Sequence, residues 1–377
     1  MNSPLQIREI GPGESLRPFI DLSWTMNAGD PAWVPPLRRQ LRTMLDRRKH
    51  PFHQHAEVSY FLAERGGEPV GRVAAIVNHR HNEFHEDRVG FFGFFECEDD
   101  RETARALLDR ASGWLAERGM EWVRGPMNFS TNEECGLLVE GFSDQPSVMM
   151  PHNPSYDAAL IEGAGLEKET DLLAYALSET EPPERLVRLG ERAARKAGVR
   201  VRSLDMRRFR EEVDAVQRVY NSAWSRNWGF VPMTEEEFDH MAGEMKPVVD
   251  ADLCLIVETD AGEPIGFTLA LPDVNQALKP LNGRLFPFGI FRFLWNRRKI
   301  DRIRVLTLGF TPEYTHAGLG PFLYLRTWHV GTSKGYRFGE ASWILENNRE
   351  MRGALERMGA EVSRVYRIYG RPVGEAA

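Results

Sequence analysis

The stretch Arg304–Tyr324, RVLTLGFTPEYTHAGLGPFLY, constrains the fold of this chain more than any other. Val305 to Phe310 is an apolar run of strand length. Pro312 makes a turn, and His316, Ala317, Gly318, Leu319 and Gly320 form a short glycine loop that runs directly into an amphipathic helix. Such a junction suits a diphosphate, because glycine lets backbone N–H groups come close and a helix N-terminus offers unpaired donors with partial positive charge. No Lys followed by Ser or Thr stands in it, which excludes a nucleotide-triphosphate P-loop. Glycines ahead of a helix also serve plain turns, so the stretch by itself leaves both readings open.

The residues C-terminal to this loop narrow the choice. After a helix ending near Gly335 come a strand at Phe338–Leu345, the turn Glu346-Asn347-Asn348, a helix from Arg349 to Met358, Gly359, and a last strand from Val362 to Tyr369. This order resembles the core of the GNAT acyltransferase superfamily. The resemblance implies that the loop amides hold the pyrophosphate of coenzyme A and that acetyl-CoA or a longer acyl-CoA is the co-substrate. It also implies that the two strands splay so that thioester carbonyl and acceptor amine meet between them. Carried onto this chain, it gives cofactor contacts at Leu308, Gly309, Phe310, Ala317, Gly318, Leu319 and Gly320, with Asn347 and Asn348 near the pantetheine arm. Two positions depart from the family pattern. The loop usually opens with Gln or Arg, where Thr315 stands here, and the tyrosine that protonates the leaving thiolate falls at Leu355.

The same unit is written twice. Gly67-Glu68-Pro69-Val70-Gly71 matches Gly262-Glu263-Pro264-Ile265-Gly266, each in a turn between two expected strands, and each followed by a strand, a helix and a glycine-containing crossover. The expected fold class is therefore α/β (α+β), with two tandem GNAT-like domains, each a mixed, largely antiparallel sheet flanked by helices. A composition shift at Glu179–Pro183 sets the boundary, giving domains 1–180 and 181–377. In the first copy the loop after Glu96 reads CEDDRET. It has no glycine and its acids repel a diphosphate, so the first domain is expected to be degenerate for coenzyme A and the second to bind it.

A formal net charge of −7 argues against nucleic acid as the main partner, which calls for a basic face. Cys97, Cys135 and Cys254 make no C-x-x-C pair, so neither a disulfide framework nor a zinc knuckle is indicated and a cytoplasmic setting fits. The N-terminal residues show no charged-then-apolar signal pattern, and nowhere do ~18 apolar residues run together.

Further candidates lie in the first half. Asn128-Phe-Ser-Thr-Asn-Glu-Glu-Cys135-Gly136 reads either as a capped turn or as the acceptor end of an active site. In the second case Asn128 and Asn132 touch the substrate and Glu133 or Glu134 is the base; Cys135 reads as a buried thiol rather than a nucleophile. His79, His81 and His85 follow an expected strand, where alternate histidines share a face and can join Glu98 or Asp99 around a metal. A solvated strand end is the commoner fate of such residues, and no metal is expected. His152, between Pro151 and Pro154, is a candidate base, since a neutral imidazole takes a proton near neutral pH.

The segment Leu278–Lys299, LKPLNGRLFPFGIFRFLWNRRK, is an insertion between the second copy's hairpin and its glycine-loop strand. Leu285–Trp295 is almost wholly apolar or aromatic and is followed by Arg297, Arg298 and Lys299, the composition of a segment lying in a membrane headgroup region. A buried loop or an oligomer contact are the alternatives. Phe286 and Phe288 are the candidate contacts to a lipid acceptor, and the chain is expected at the inner membrane face, peripherally.

The implied reaction is acyl transfer from coenzyme A to an amine, with a base taking the ammonium proton and backbone amides polarising the thioester carbonyl. Glu313 and Glu340 are candidate bases, and Tyr366 or Tyr369 a replacement for the missing acid. The strings NHRHNEFH, GFFGFFE, GPMNFSTNEECG, PHNPSYDAALIEGAGL and GRLFPFG resemble a group of bacterial tandem GNAT proteins that includes ceramide synthases, which N-acylate long-chain sphingoid bases. A soluble N-acetyltransferase for a small metabolite or peptide and a non-catalytic acyl-CoA or lipid sensor are the competing readings.

Overall fold

The computed structural model describes residues 3–178, 184–225, 227–315 and 317–374. The boundary segment Glu179–Pro183 and the loop residue His316 lie outside the described residues. The strands are β1 Leu5–Glu9, β2 Ala56–Arg65, β3 Glu68–Asn78, β4 Val89–Cys97, β5 Trp122–Gly125, β6 Met127–Asn128, β7 Glu134–Cys135, β8 Leu137–Glu140, β9 Glu167–Ser178, β10 Val199–Ser203, β11 Cys254–Thr259, β12 Pro264–Pro272, β13 Arg302–Phe310, β14 Phe338–Leu345 and β15 Glu361–Pro372. The helices are α1 Arg17–Met26, α2 Arg38–Leu45, α3 His79–His85, α4 Arg101–Ala116, α5 Asp157–Gly163, α6 Glu184–Lys196, α7 Phe209–Ala223, α8 Glu235–Met245, α9 Asn275–Leu278, α10 Gly289–Asn296, α11 Gly320–Ser333 and α12 Arg349–Arg357.

Two compact units result. The first comprises Met1–Asp171, Leu278–Phe293 and Arg364–Ala377, the second Leu172–Ala277 and Leu294–Ser363. In the first, strands run in the order β1-β2-β3-β4-β5-β15, antiparallel except for β4 beside β5. In the second the order is β10-β11-β12-β13-β14-β9, antiparallel except for β13 beside β14. The first unit's sheet thus ends on the chain's last strand, and the second unit's on a strand from the first half of the sequence. Relative to a division at residue 180, these strands and Leu278–Phe293 change sides.

The repetition read from GEPVG and GEPIG extends to the backbone. In the β2–β3 hairpin the register slips between Ala63 and Glu64, opposite Gly71 and Pro69. In β11–β12 it slips between Val257 and Glu258, opposite Gly266 and Pro264. Both bulges fall between the proline and the second glycine of the motif. Proline cannot donate to a ladder and is tolerated at such irregular positions.

The apolar faces close over helices. In the first unit α4 presents Leu107, Leu108, Ala111, Trp114 and Leu115 to Phe61, Val73, Ala75 and Phe92. Its N-terminus is capped by Asp100, whose carboxylate accepts from the Thr103 amide at 3.1 Å. In the second, Leu319, Phe322 and Leu323 of the loop and α11 meet Leu255, Val257, Ile265 and Phe310 of the sheet. Each such side chain stabilises the fold by about 1.5–3 kcal/mol, so the loop's position is set by its one large apolar residue, Leu319.

One local expectation changes. His79–His85 is a helix, capped by Asn78 accepting from the His81 amide at 3.2 Å, and not a strand end. His79 and His81 therefore do not share a strand face. His81 is buried, 4.4 Å from the His85 ring between centroids, and burial pushes it down to about 3, so it stays neutral. Among the described residues no group of three His, Cys, Asp or Glu side chains is placed to hold a metal ion.

Candidate functional site

The second unit opens where β13 and β14 part. Their parallel pairing runs from Arg302/Phe338 to Val305/Ala341, while β13 continues to Phe310. At that point the β12–β13 ladder slips as well: Leu269 faces Thr307 and Ala270 faces Val305, which leaves Leu306 without an opposite residue. A bulge of this kind turns backbone groups out of the ladder. Leu306, Thr307, Leu308 and Gly309 are only half-buried, and Thr307 Oγ1 is buried without a hydrogen-bond partner among the described residues. Gly309 is held against Trp224 at the C-terminal end of α7; a Cβ there would run into the indole.

The glycine loop continues from this strand. The Thr311 amide donates to Ile265 O at 2.8 Å, Tyr314 N to Thr311 O at 2.9 Å and Ala317 N to Tyr314 O at 3.0 Å, giving two successive turns. Thr315, the departure from the family pattern, donates its hydroxyl to Thr311 O at 3.3 Å. Gly318 has φ +70°, where a side chain other than Asn or Asp is strained, and a Cβ there would meet nothing within 4 Å. Leu319 is buried, whereas Ala317 and Gly318 are exposed. Among the described residues no side chain caps α11, whose N-terminus carries the partial positive charge of unpaired first-turn amides. A Cβ on Gly320 would lie 4.0 Å from Leu308 and 4.0 Å from Met351. This brings the splayed strand, the loop and the first turn of α12 together. Asn348 caps that turn, accepting from Met351 N at 3.1 Å, and Asn347 is exposed just before it.

The candidate bases differ in setting. Glu313 is exposed in the turn ahead of the loop. Glu340 is buried, with its carboxylate accepting from Ser342 Oγ at 2.8 Å. Ser342 in turn accepts from Arg304 Nε at 2.9 Å, and the guanidinium lies over the Trp343 ring, 5.2 Å from its centroid. Arg304 and Glu340 are register partners at the end of the paired segment. The sequence hides this network except for one signal, an arginine between the apolar Ile303 and Val305 of β13.

Most of the remaining candidates belong to the first unit. Tyr366 pairs with Leu138 and Tyr369 with Gly125 in the first unit's sheet. The Tyr369 hydroxyl donates to Glu162 at 3.0 Å, and burial followed by that bond raises its pKa. Leu355 is buried in α12. His152 sits with Nε2 2.7 Å from Asp30 and Nδ1 buried without a hydrogen-bond partner among the described residues. Glu133 accepts from the Ser130 amide at 3.1 Å and hydroxyl at 2.9 Å, and the Asn132 amide donates to Ser130 Oγ at 3.1 Å. These bonds form a capped turn. Phe286 and Phe288 are 61% and 80% exposed.

The first unit holds the counterpart of the splay in closed form. β4 and β5 pair only from Val89/Trp122 to Phe91/Arg124, and β4 bulges next to Phe94, with φ +52°. There the freed Phe94 amide donates to Asn128 Oδ1 at 2.8 Å, so the chain's own carboxamide occupies the donor. A Cβ on Gly93 would strike the Met127 carbonyl. The loop beyond carries Glu98 and Asp100, both paired with Arg65, and hydrogen bonding to Thr103 first, then Arg65, outweighs desolvation and holds Asp100 at about 2. Asp157, at the start of α5, is fully buried with neither oxygen hydrogen-bonded among the described residues; burial, then Glu96 and Asp99, raise its pKa well above the usual carboxylate range.

No protein-family model matches the chain. Among curated proteins, it is 37% identical over 376 residues to the bacterial ceramide synthase of Caulobacter vibrioides, covering 98% of this chain and 97% of that one. It is 36% identical over 367 residues to the protein YghO of Escherichia coli, covering 95% and 93%. Among solved structures, a tandem GNAT protein from the clavulanic acid biosynthesis pathway superposes with TM-score 0.58 at 13% identity, covering 99% of this chain and 100% of that one. A GCN5-related N-acetyltransferase from Sphaerobacter thermophilus gives TM-score 0.52 at 14% identity, covering 100% and 98%. At these identities the two structures speak to the fold alone.

Proposed function

The chain belongs to the tandem GNAT family of the bacterial ceramide synthase and YghO, and from that premise we infer that it is an N-acyltransferase, using acyl-CoA as donor and a long-chain sphingoid base as acceptor. The observation that carries the donor half is that the strand leaving the β13–β14 pairing runs into a glycine loop and helix N-terminus with no side-chain cap among the described residues. In this reading the loop Ala317–Gly320 holds the diphosphate, with the amides of Gly318, Leu319 and Gly320 as donors, since Ala317 N is bonded to Tyr314 O. The pantetheine arm runs past Asn347 and Asn348 along Leu308, Gly309 and Phe310 toward the bulge at Leu306, whose freed backbone donor polarises the thioester carbonyl. The amine, once its proton is removed, attacks that carbonyl; the C–N bond forms, the C–S bond breaks, and the thiolate takes a proton. Glu313 has the open setting that a proton-accepting carboxylate needs, whereas Glu340 already serves Ser342.

The acceptor half rests on the ceramide synthase relative, near full length at 37% identity. In this reading the enzyme acts in the cytoplasm, peripherally at the inner membrane face, with Phe286 and Phe288 near the lipid. The test is incubation of the purified protein with acyl-CoA of graded chain length and an acceptor panel of sphinganine, small amines and a peptide, with products weighed by mass spectrometry. N-acylated sphinganine formed together with free thiol is the expected result. Acetylation of small amines alone would overturn the lipid reading, and binding without thiol release would leave a sensor.

A further inference from the structure

The insertion combines two properties in one contiguous segment. Phe286, Phe288, Phe291, Leu294 and Trp295 are 61%, 80%, 71%, 51% and 64% exposed, five of the nine exposed large apolar side chains among the described residues. Only Phe293 of α10 is buried. Soluble chains rarely leave so many aromatic side chains together in water without a partner. Interleaved with and flanking them in sequence are Lys279, Arg284, Arg292, Arg297, Arg298 and Lys299, and from Leu278 to Ile300 there is no Asp or Glu, although the whole chain carries net charge −7. Arg284, Arg292, Arg298 and Lys299 are exposed and form no ion pair among the described residues, while Lys279 donates to Pro31 O and Arg297 to Pro247 O.

We propose that this segment docks the enzyme on an anionic phospholipid surface, its aromatic side chains entering the acyl boundary and its cations meeting the headgroup phosphates. The inference rests on the reading above for its purpose, delivery of a lipid amine, but not for its physics. Charge decides between the occupants of the patch. A second copy of this chain seated on the same face would set six cations against six, and a neutral apolar partner would leave them unmatched. Anionic lipid satisfies both components, as amphipathic helices with flanking Lys and Arg do at membrane interfaces. The helix is far short of the ~20 residues needed to span a bilayer, so the contact is interfacial.

The test is co-sedimentation of the full chain with vesicles of equimolar phosphatidylethanolamine and phosphatidylglycerol, and with vesicles of phosphatidylcholine alone. Wild type is expected to bind the first, and to lose binding as salt rises. Each cation near such a surface contributes about fivefold in partitioning, so R292S/R298S/K299S is expected to bind roughly 100-fold more weakly. F291S/W295S, which replaces exposed side chains and leaves the loop untouched, is expected to lose binding to the anionic vesicles while keeping acyl-CoA binding. Equal binding of wild type and both variants would overturn the proposal, as would equal affinity for the two vesicle types. A lipid-free dimer of wild type that F291S/W295S dissolves would also overturn it, by assigning the face to a second copy. Vesicle binding without N-acylation of sphinganine would sink the assigned acceptor and leave the docking surface standing.

Discussion

Replacing Gly318 with Asp tests the anion cradle by importing the chemistry of the first unit's acidic loop. Gly318 is exposed, has φ +70° and has no atom within 4 Å of where a Cβ would sit, and Asp accepts that conformation, so the fold is retained. A carboxylate ~5 Å from a phosphate charge costs about 0.8 kcal/mol at the dielectric of water and about 3 kcal/mol at the effective value near a protein surface. A diphosphate doubles this and salt reduces it, leaving a penalty of about 2 kcal/mol, or roughly 30-fold in Kd. Titration calorimetry with an acyl-CoA measures the loss directly. Gly318→Asn is the control: of the same shape but uncharged, it is expected to stay within about threefold of wild type. Raising the salt concentration should narrow the gap between the two variants. If Asp and Asn weaken binding equally, or neither does, the loop does not hold the diphosphate and the argument fails.

Two more outcomes are expected from the buried charges. Asp157→Asn is expected to stabilise the first unit at neutral pH by about 1–3 kcal/mol, because a fully buried carboxyl without a hydrogen bond is costly once ionised. The sign is set by a folded-state pKa raised above the ordinary 3.8: wild type loses stability relative to D157N as pH rises through the folded value, and the two converge below about 4. Urea melts across pH read this, and a constant difference would refute it. Arg304→Met is expected to cost about 3–5 kcal/mol, since it removes the buried guanidinium that donates to Ser342 and, through Ser342, supports the buried Glu340 carboxylate, and R304M/E340M to recover most of that loss. Denaturation midpoints of the two variants check it; an unrecovered double variant would contradict the pairing.

The elements themselves were legible because their signals are local. Asp100 stands ahead of a 3.6-period apolar stripe, which marks α4, and the strand at Phe338–Leu345 lies between Gly335 and the Asn347-Asn348 turn. His79–His85 was not, because the spacing of histidines reads equally as a strand face, and the Asn78 cap that makes it a helix is a three-residue interaction. The exchange of last strands was hidden for a different reason. An apolar strand such as β15 states that it is buried but not which neighbour it pairs with, so Tyr366 and Tyr369, expected in the second copy, complete the first unit's sheet. The run Asn128–Gly136 was open between a turn and a site. The structure shows the turn's bonds and adds a contact no spacing reveals, Asn128 on the Phe94 amide, 34 residues away. At the loop, glycines and the adjoining helix were enough to point to Ala317–Gly320, whereas the buried Arg304–Ser342–Glu340 network depends on β13–β14 register.

Hydrogen–deuterium exchange of the full chain with and without acyl-CoA tests the cradle most directly. Slowed exchange is predicted at the amides of residues 317–323 and in the first turn of α12, with the Cys97–Thr103 stretch of the first unit unchanged. Protection of Cys97–Thr103 instead, or of neither stretch at saturating acyl-CoA, would contradict a donor site at the second unit's glycine loop.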